Sequence, residues 1–211
     1  MLSNEILLFI LFSYLTGAIP SAVWYGRVFY NIDVREFGSG NAGATNTFRV
    51  LGKKAGIPVL IMDILKGWLA VSYCKLLSNS SFLQEANPDF YFEIQLAFGF
   101  SAVIGHLFPI YTGFRGGKGI ATMLGFLVAV QPVASLYSLL VFLIVFFLFR
   151  YVSLSSIIAS IAFCLIVLLN TDNSSLNLFA IFIPLLSLIT HQKNIERLIR
   201  GEETKVKFGK K

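Results

Sequence analysis

Long apolar runs, most of them near the ~20 residues that an α-helix needs to cross a bilayer core, occupy most of this chain, with glycine-rich or charged segments between them. Ile6 to Tyr25 contains no charged residue and predicts a first membrane helix. With no lysine or arginine before it and no small-residue cleavage site, it reads as a retained helix rather than a signal peptide. Ala55 to Leu77 predicts a second span and Tyr91 to Tyr111 a third, with the polar residues 78 to 90, free of lysine and arginine, as the loop between them. Gly119 to Phe149 is a run of 31 residues without a charge, far longer than one crossing needs, and Gln131-Pro132 divides it. Two short spans, or a re-entrant first half, fit that run. Tyr151 to Thr171 and Asn177 to Thr190 predict a last hairpin around Asp172 and Asn173. The expected fold is an all-α polytopic membrane protein of about seven transmembrane helices, with residues 1–211 forming a single domain.

The cations set the orientation. Arg27, Arg35, Arg49, Lys53 and Lys54 follow the first span, Arg115 and Lys118 follow the third, and the final 20 residues hold seven lysines or arginines. Under the positive-inside rule these segments are cytoplasmic, the N-terminus is outside and the C-terminus inside. Because Arg115 and Lys118 precede the long uncharged run and Arg150 follows it, that run crosses twice or not at all. Composition agrees: 56% hydrophobic residues, 13% charged residues and a mean hydropathy of +0.75 exclude a soluble domain. The net charge of +6 then reports orientation, and no nucleic-acid partner is expected.

Few polar residues lie within the apolar runs. Asp63 and Lys66, three apart, share a helix face, and an inward-facing ion pair lowers the cost of holding them at membrane depth. His106, near the end of its span, is best read as a buried histidine with its hydrogen bonds satisfied. Cys74 and Cys164 fall inside apolar runs and predict no disulfide. With two histidines and no paired ligand spacing, neither a metal nor another cofactor is expected, and no serine has a nucleophile-elbow context.

Two glycine-rich loops carry the chemistry. Arg115 to Ala121 reads Arg-Gly-Gly-Lys-Gly-Ile-Ala, and residues 38 to 49 read Gly-Ser-Gly-Asn-Ala-Gly-Ala-Thr-Asn-Thr-Phe-Arg. Glycines allow successive backbone N–H groups to face one concavity, and a helix starting near Gly119 directs its positive end there. Ser39, Arg49, Lys118 and the backbone of Gly116 and Gly117 are thus candidate phosphate holders, with His191 and Asn194 in the tail on the same side of the membrane. Two such loops suit a substrate with more than one phosphate, or two substrates.

The segments 38 to 46 with Arg49, Gly-His-Leu-Phe-Pro (105 to 109) with Phe-Arg-Gly-Gly-Lys-Gly-Ile-Ala-Thr (114 to 122), and His191 with Asn-Ile-Glu-Arg-Leu-Ile-Arg-Gly-Glu (194 to 202) resemble the three cytoplasmic motifs of the bacterial acyl-phosphate-dependent glycerol-3-phosphate acyltransferases, the PlsY family. The resemblance covers essentially the full chain. It implies transfer of a fatty acyl group from acyl phosphate to the sn-1 hydroxyl of glycerol 3-phosphate at the cytoplasmic face of the bacterial plasma membrane, with membrane lipid as surroundings and the oligomeric state open. It further implies Ser39, Arg49, Lys118, His191 and Asn194 as catalytic residues, and Gly38, Gly40, Asn41, Thr45, Asn46, Gly116, Gly117, Gly119 and Ser156 as substrate contacts.

Other readings fare worse. His191 and Glu196 have a His-x4-acid spacing similar to the His-x4-Asp of other glycerolipid acyltransferases, but residues five apart do not share a helix face and the acid differs. A transporter or channel for an anionic solute would also use glycine breaks and inward cations. Here, however, the charged loops gather on one face and no inverted repeat is visible. A non-catalytic lipid-binding scaffold would not need two phosphate loops.

Overall fold

The computed structural model describes residues 4–77 and 88–206. The chain divides into two compact helical units, with the boundary between Val130 and Gln131. The first contains α1 (Asn4–Ala18), α2 (Ser21–Tyr30), α3 (Ala44–Leu51), α4 (Lys53–Ser72), α5 (Cys74–Leu77), α6 (Pro88–Leu107) and α7 (Ile120–Val130). The second contains α8 (Pro132–Phe149), α9 (Val152–Asn170), α10 (Ser174–Thr190) and α11 (Gln192–Ile199). Residues 78–87, most of the expected outer loop, lie outside the described residues.

Proline decides where several of these helices begin or break. The uncharged stretch read as one span is a pair, α1 and α2, bent by 42° at Ile19–Pro20. Pro20 has no N–H to continue the ladder and pushes Ile19 out of the helical region. The long uncharged run breaks at Gln131, and Pro132 opens α8 where its missing N–H costs nothing. Among the described residues four helices are long and apolar enough to span a membrane, or six if α1–α2 and the α10–α11 pair, bent by 66°, each count as one. The expected span before Gln131 corresponds to α7, whose 11 residues rise about 16 Å, roughly half of a bilayer core.

In the first unit α1 packs on α6, α4 on α7, and α1 and α6 both on α4. Small residues bring these helices into backbone contact, as expected where no water drives association. At Gly125 of α7 a Cβ would be driven into the carbonyl oxygen of Ile64, and at Gly67 of α4 into that of Thr122. The α4–α7 crossing is therefore close, with Gly67 of α4 against the Thr122 carbonyl in the first turn of α7. In the second unit α8 and α10 flank α9. Of the residues of α8 only Ala134, Ser135 and Val145 are buried, and Leu136, Tyr137, Leu140, Ile144, Phe147 and Leu148 are exposed, the pattern of a lipid-facing helix.

Gly125→Ala is expected to force α4 and α7 apart at a cost of about 1–3 kcal/mol, read as a lower thermal midpoint of the purified protein in detergent. An unchanged midpoint would contradict the backbone contact at this crossing.

Candidate active site

The first glycine-rich loop is built from Asp33 onward. Asp33 caps the short 3-10 turn Val34–Glu36 by accepting from the Arg35 N–H at 3.0 Å. Its carboxylate also takes charge-assisted hydrogen bonds from Arg35 Nη2 at 2.8 Å and Arg27 Nη2 at 2.9 Å. The Arg35 hydrogen bond, working against burial, holds the Asp33 carboxyl at about 2. The chain then turns through Gly38 (φ +63) and Gly40 (φ +72) before α3. Asn46, in the first turn of α3, reaches back into this turn. Its Oδ1 accepts from the N–H and Oγ of Ser39 (2.9 and 3.1 Å), and its Nδ2 donates to the carbonyls of Val34 and Phe37 (2.7 and 3.1 Å). Those bonds use the whole capacity of an amide side chain. Asn46, expected as a substrate contact, is 1% exposed and holds the loop in shape. Gly38 lies against Asn46 Oδ1 so closely that a Cβ would collide, and Arg49 extends alongside. Ser39, Thr45 and Arg49 are exposed and Asn41 half-buried.

The second loop starts where α6 ends. Ile110–Thr112 forms a 3-10 turn, and Gly113 and Phe114 both take positive φ (65° and 59°), with the Phe114 N–H on the Pro109 carbonyl at 2.9 Å. Gly119, φ +80, opens α7 and accepts the Met123 N–H at 2.7 Å. One amide of the expected concavity is already committed: Gly117 donates to the carbonyl of His106 at 3.1 Å. Lys118 is half-buried and Arg115 exposed. The two loops meet. Arg35 Nη1 donates to the carbonyl of Thr112 at 3.1 Å, and Ala42 shares a small cavity with Gly116 and Gly117.

The tail residues belong to the second unit. His191 sits at the bend between α10 and α11, 3% exposed, its Nδ1 donating to the carbonyl of Ser187 at 2.9 Å. Asn194 donates through Nδ2 to Glu203 Oε1 at 2.6 Å, and Ser153 Oγ donates to the same oxygen at 2.8 Å. Arg197 Nε donates to Oε2 at 2.8 Å. Burial alone would raise the Glu203 carboxyl, but the hydrogen bonds from Arg197, Asn194 and Ser153 outweigh it and hold the group below its ordinary value. Ser156 is 4% exposed and its Oγ donates to the Val152 carbonyl at 2.8 Å.

A model of the glycerol-3-phosphate acyltransferase family matches residues 7–201, both glycine-rich loops and the His191–Gly201 segment included. This chain belongs to the glycerol-3-phosphate acyltransferase family. Relatives bearing that name are 44% identical in Enterococcus faecalis, covering 97% of this chain and 94% of the relative, and 46% identical in Listeria monocytogenes, covering 97% and 98%. The crystal structure of PlsY (YgiH), an integral membrane glycerol 3-phosphate acyltransferase, in its glycerol 3-phosphate form is similar with a TM-score of 0.81 at 36% identity, over 97% of this chain and 96% of that one. The lysophosphatidic acid form of the same protein gives 0.79. This chain is accordingly a membrane-embedded acyltransferase.

Asp33 and Glu203, which hold the arginines, Asn194 and Ser153 around them, carry no motif in the sequence that marks them. Both are acids near cations, Asp33 between Arg27 and Arg35 and Glu203 in the basic tail. That signal marks a local organiser of arginines, although the same acids read equally well as solvated surface charges. Asp33→Asn is expected to lower stability at pH 5 and above. The depressed carboxyl contributes above its unfolded value near 3.9 and loses that contribution as pH falls through about 2. Thermal midpoints of the two proteins should therefore converge between about pH 4 and pH 2. A pH-independent gap would contradict the Asp33–Arg35 tie.

Proposed function

We propose that this acyltransferase moves a fatty acyl group from acyl phosphate to the sn-1 hydroxyl of glycerol 3-phosphate, giving lysophosphatidic acid and inorganic phosphate, at the cytoplasmic face of the bacterial plasma membrane. The observation that carries this reading is the meeting of two glycine-rich loops in the first unit, each with its own cation, Arg49 and Lys118. The related PlsY forms, with glycerol 3-phosphate and with lysophosphatidic acid, agree in acceptor and product. Ser39, Arg49 and Lys118 are assigned to the substrate phosphates.

The acceptor hydroxyl oxygen attacks the acyl carbonyl carbon, the new ester C–O bond forms, and the bond from that carbon to the phosphate oxygen breaks. A phosphate oxygen of the substrates takes the hydroxyl proton. An acyl phosphate is an activated anhydride with a good leaving group, so the enzyme's share is positioning and positive charge. No acyl-enzyme is required. The Ser156 hydroxyl, buried with its proton on the Val152 carbonyl, is poorly placed as a nucleophile.

Initial rates with both substrates varied are expected to show intersecting double-reciprocal lines, and acyl phosphate alone should leave no acyl group on Ser39 or Ser156 by mass spectrometry. Parallel lines with a trapped acyl-serine would overturn the mechanism. Lys118→Ala and Arg49→Ala should each lower activity by about tenfold or more, with Arg49→Lys restoring only part. Acyl-CoA should be a poor donor, and equal rates with it would remove the acyl-phosphate assignment. A cysteine at Lys205 should resist an impermeant thiol reagent added outside, since labelling there would reverse the orientation.

A further inference from the structure

Beneath the second glycine-rich loop lies a polar cluster that the proposed reaction leaves unused. Asp63 and Lys66 of α4, His106 of α6 and Thr122 of α7 are all buried, at 1%, 4%, 6% and 0% exposure. Lys66 Nζ stands 2.7 Å from Asp63 Oδ1 and donates to the carbonyl of Ile19, at the α1–α2 break, at 2.9 Å. The Nδ1 edge of the His106 ring faces Thr122 Oγ1 at 3.2 Å and Asp63 Oδ1 at 3.6 Å. Its opposite edge meets the loop, because a Cβ on Gly117 would be driven into His106 Nε2. The backbone closes the same contact, with the Gly117 N–H on the His106 carbonyl at 3.1 Å and Gly116 packed against that carbonyl. A cavity of about 10 Å³, roughly one water in size, is lined by Lys66, His106, Gly116, Gly117 and Ala42 among others.

We propose that His106 is a positioning residue for the phosphate loop. One ring touches the chain on both sides of Lys118: Gly117 immediately before it, and Thr122 in the first turn of α7. The ring itself is backed by Asp63, which the ammonium of Lys66 holds in place. A rigid ring between two fixed points sets the height at which Lys118 and the first turn of α7 are presented, and such positioning is felt in substrate binding before it is felt in the fold. This also gives a packing reason for Gly116-Gly117, since any side chain at Gly117 would displace the imidazole.

The proposal rests on the acyl-transfer reading above, and kinetics of the purified full-length enzyme in lipid vesicles separate the two. His106→Ala is expected to raise the KM of one phosphate substrate by about tenfold or more, with the other KM changing less than about threefold. His106→Asn, which can restore the Thr122 contact, should recover much of that loss. Thr122→Val keeps the shape of the side chain but removes the partner of Nδ1, and should move the same KM in the same direction. If His106→Ala fails to fold, Thr122→Val still decides the question: both KM values at the wild-type level would overturn the positioning role. So would a His106→Ala enzyme that loses thermal stability alone. A wild-type enzyme that forms no lysophosphatidic acid from acyl phosphate and glycerol 3-phosphate would overturn the reaction assignment and this proposal with it.

Discussion

The ion pair of Asp63 with Lys66 is the constraint from which the first unit is built. Two charges buried among helices that pack through glycine cannot be left unpaired, because removing one partner leaves an uncompensated charge in a poorly solvating medium. Their mutual contact at 2.7 Å meets that demand only in part. Lys66 reaches further, to the Ile19 carbonyl at the break between α1 and α2, and Asp63 backs the imidazole under the glycine-rich loop. The pair thereby ties a break in the α1–α2 helix to the end of α6 and the start of α7. Glycine contacts at Gly67 and Gly125 let α4 come close enough for this to happen.

Around that centre the loops are held by their own short-range chemistry. Asn46 locks the Gly38–Gly40 turn with a full set of amide hydrogen bonds, and Asp33 orients the arginine that grips Thr112. In the second unit Glu203 does the same for Asn194, Arg197 and Ser153. Each case follows one rule: a polar side chain buried beside a loop is satisfied by loop backbone or by a charged partner, and the loop shape follows from it.

Much of this was legible in the chain. Apolar runs located the helices, Gln131-Pro132 marked a break, and the spacing of Asp63 and Lys66 foretold an ion pair that the structure contains. His106 was expected to be buried and partnered, and it is. The bend at Pro20 is hidden in hydropathy because an uncharged run continues past the proline, although Pro20 itself carries the signal. The length of α7 was equally hidden, since absence of charge says nothing about where helix ends. Within the loops, residue type suggested phosphate binding, yet whether an amide faces ligand or its own loop depends on long-range partners. The Gly117 amide turns to the His106 carbonyl, eleven positions upstream in sequence, and Asn46 turns to Val34 and Phe37. No local pattern encodes either choice.

A double-mutant cycle in α4 tests most directly whether the buried ion pair supports the glycine-rich loop above it. Acyl transfer and thermal midpoint would be measured for Asp63→Leu, Lys66→Met and the double variant. Each single change should cost about 3–5 kcal/mol of stability and abolish most activity. The double variant should regain much of the stability, since no lone charge remains, while activity stays low because the Ile19 and His106 contacts are gone. Single variants with wild-type turnover, or a double variant that recovers activity together with stability, would contradict the account.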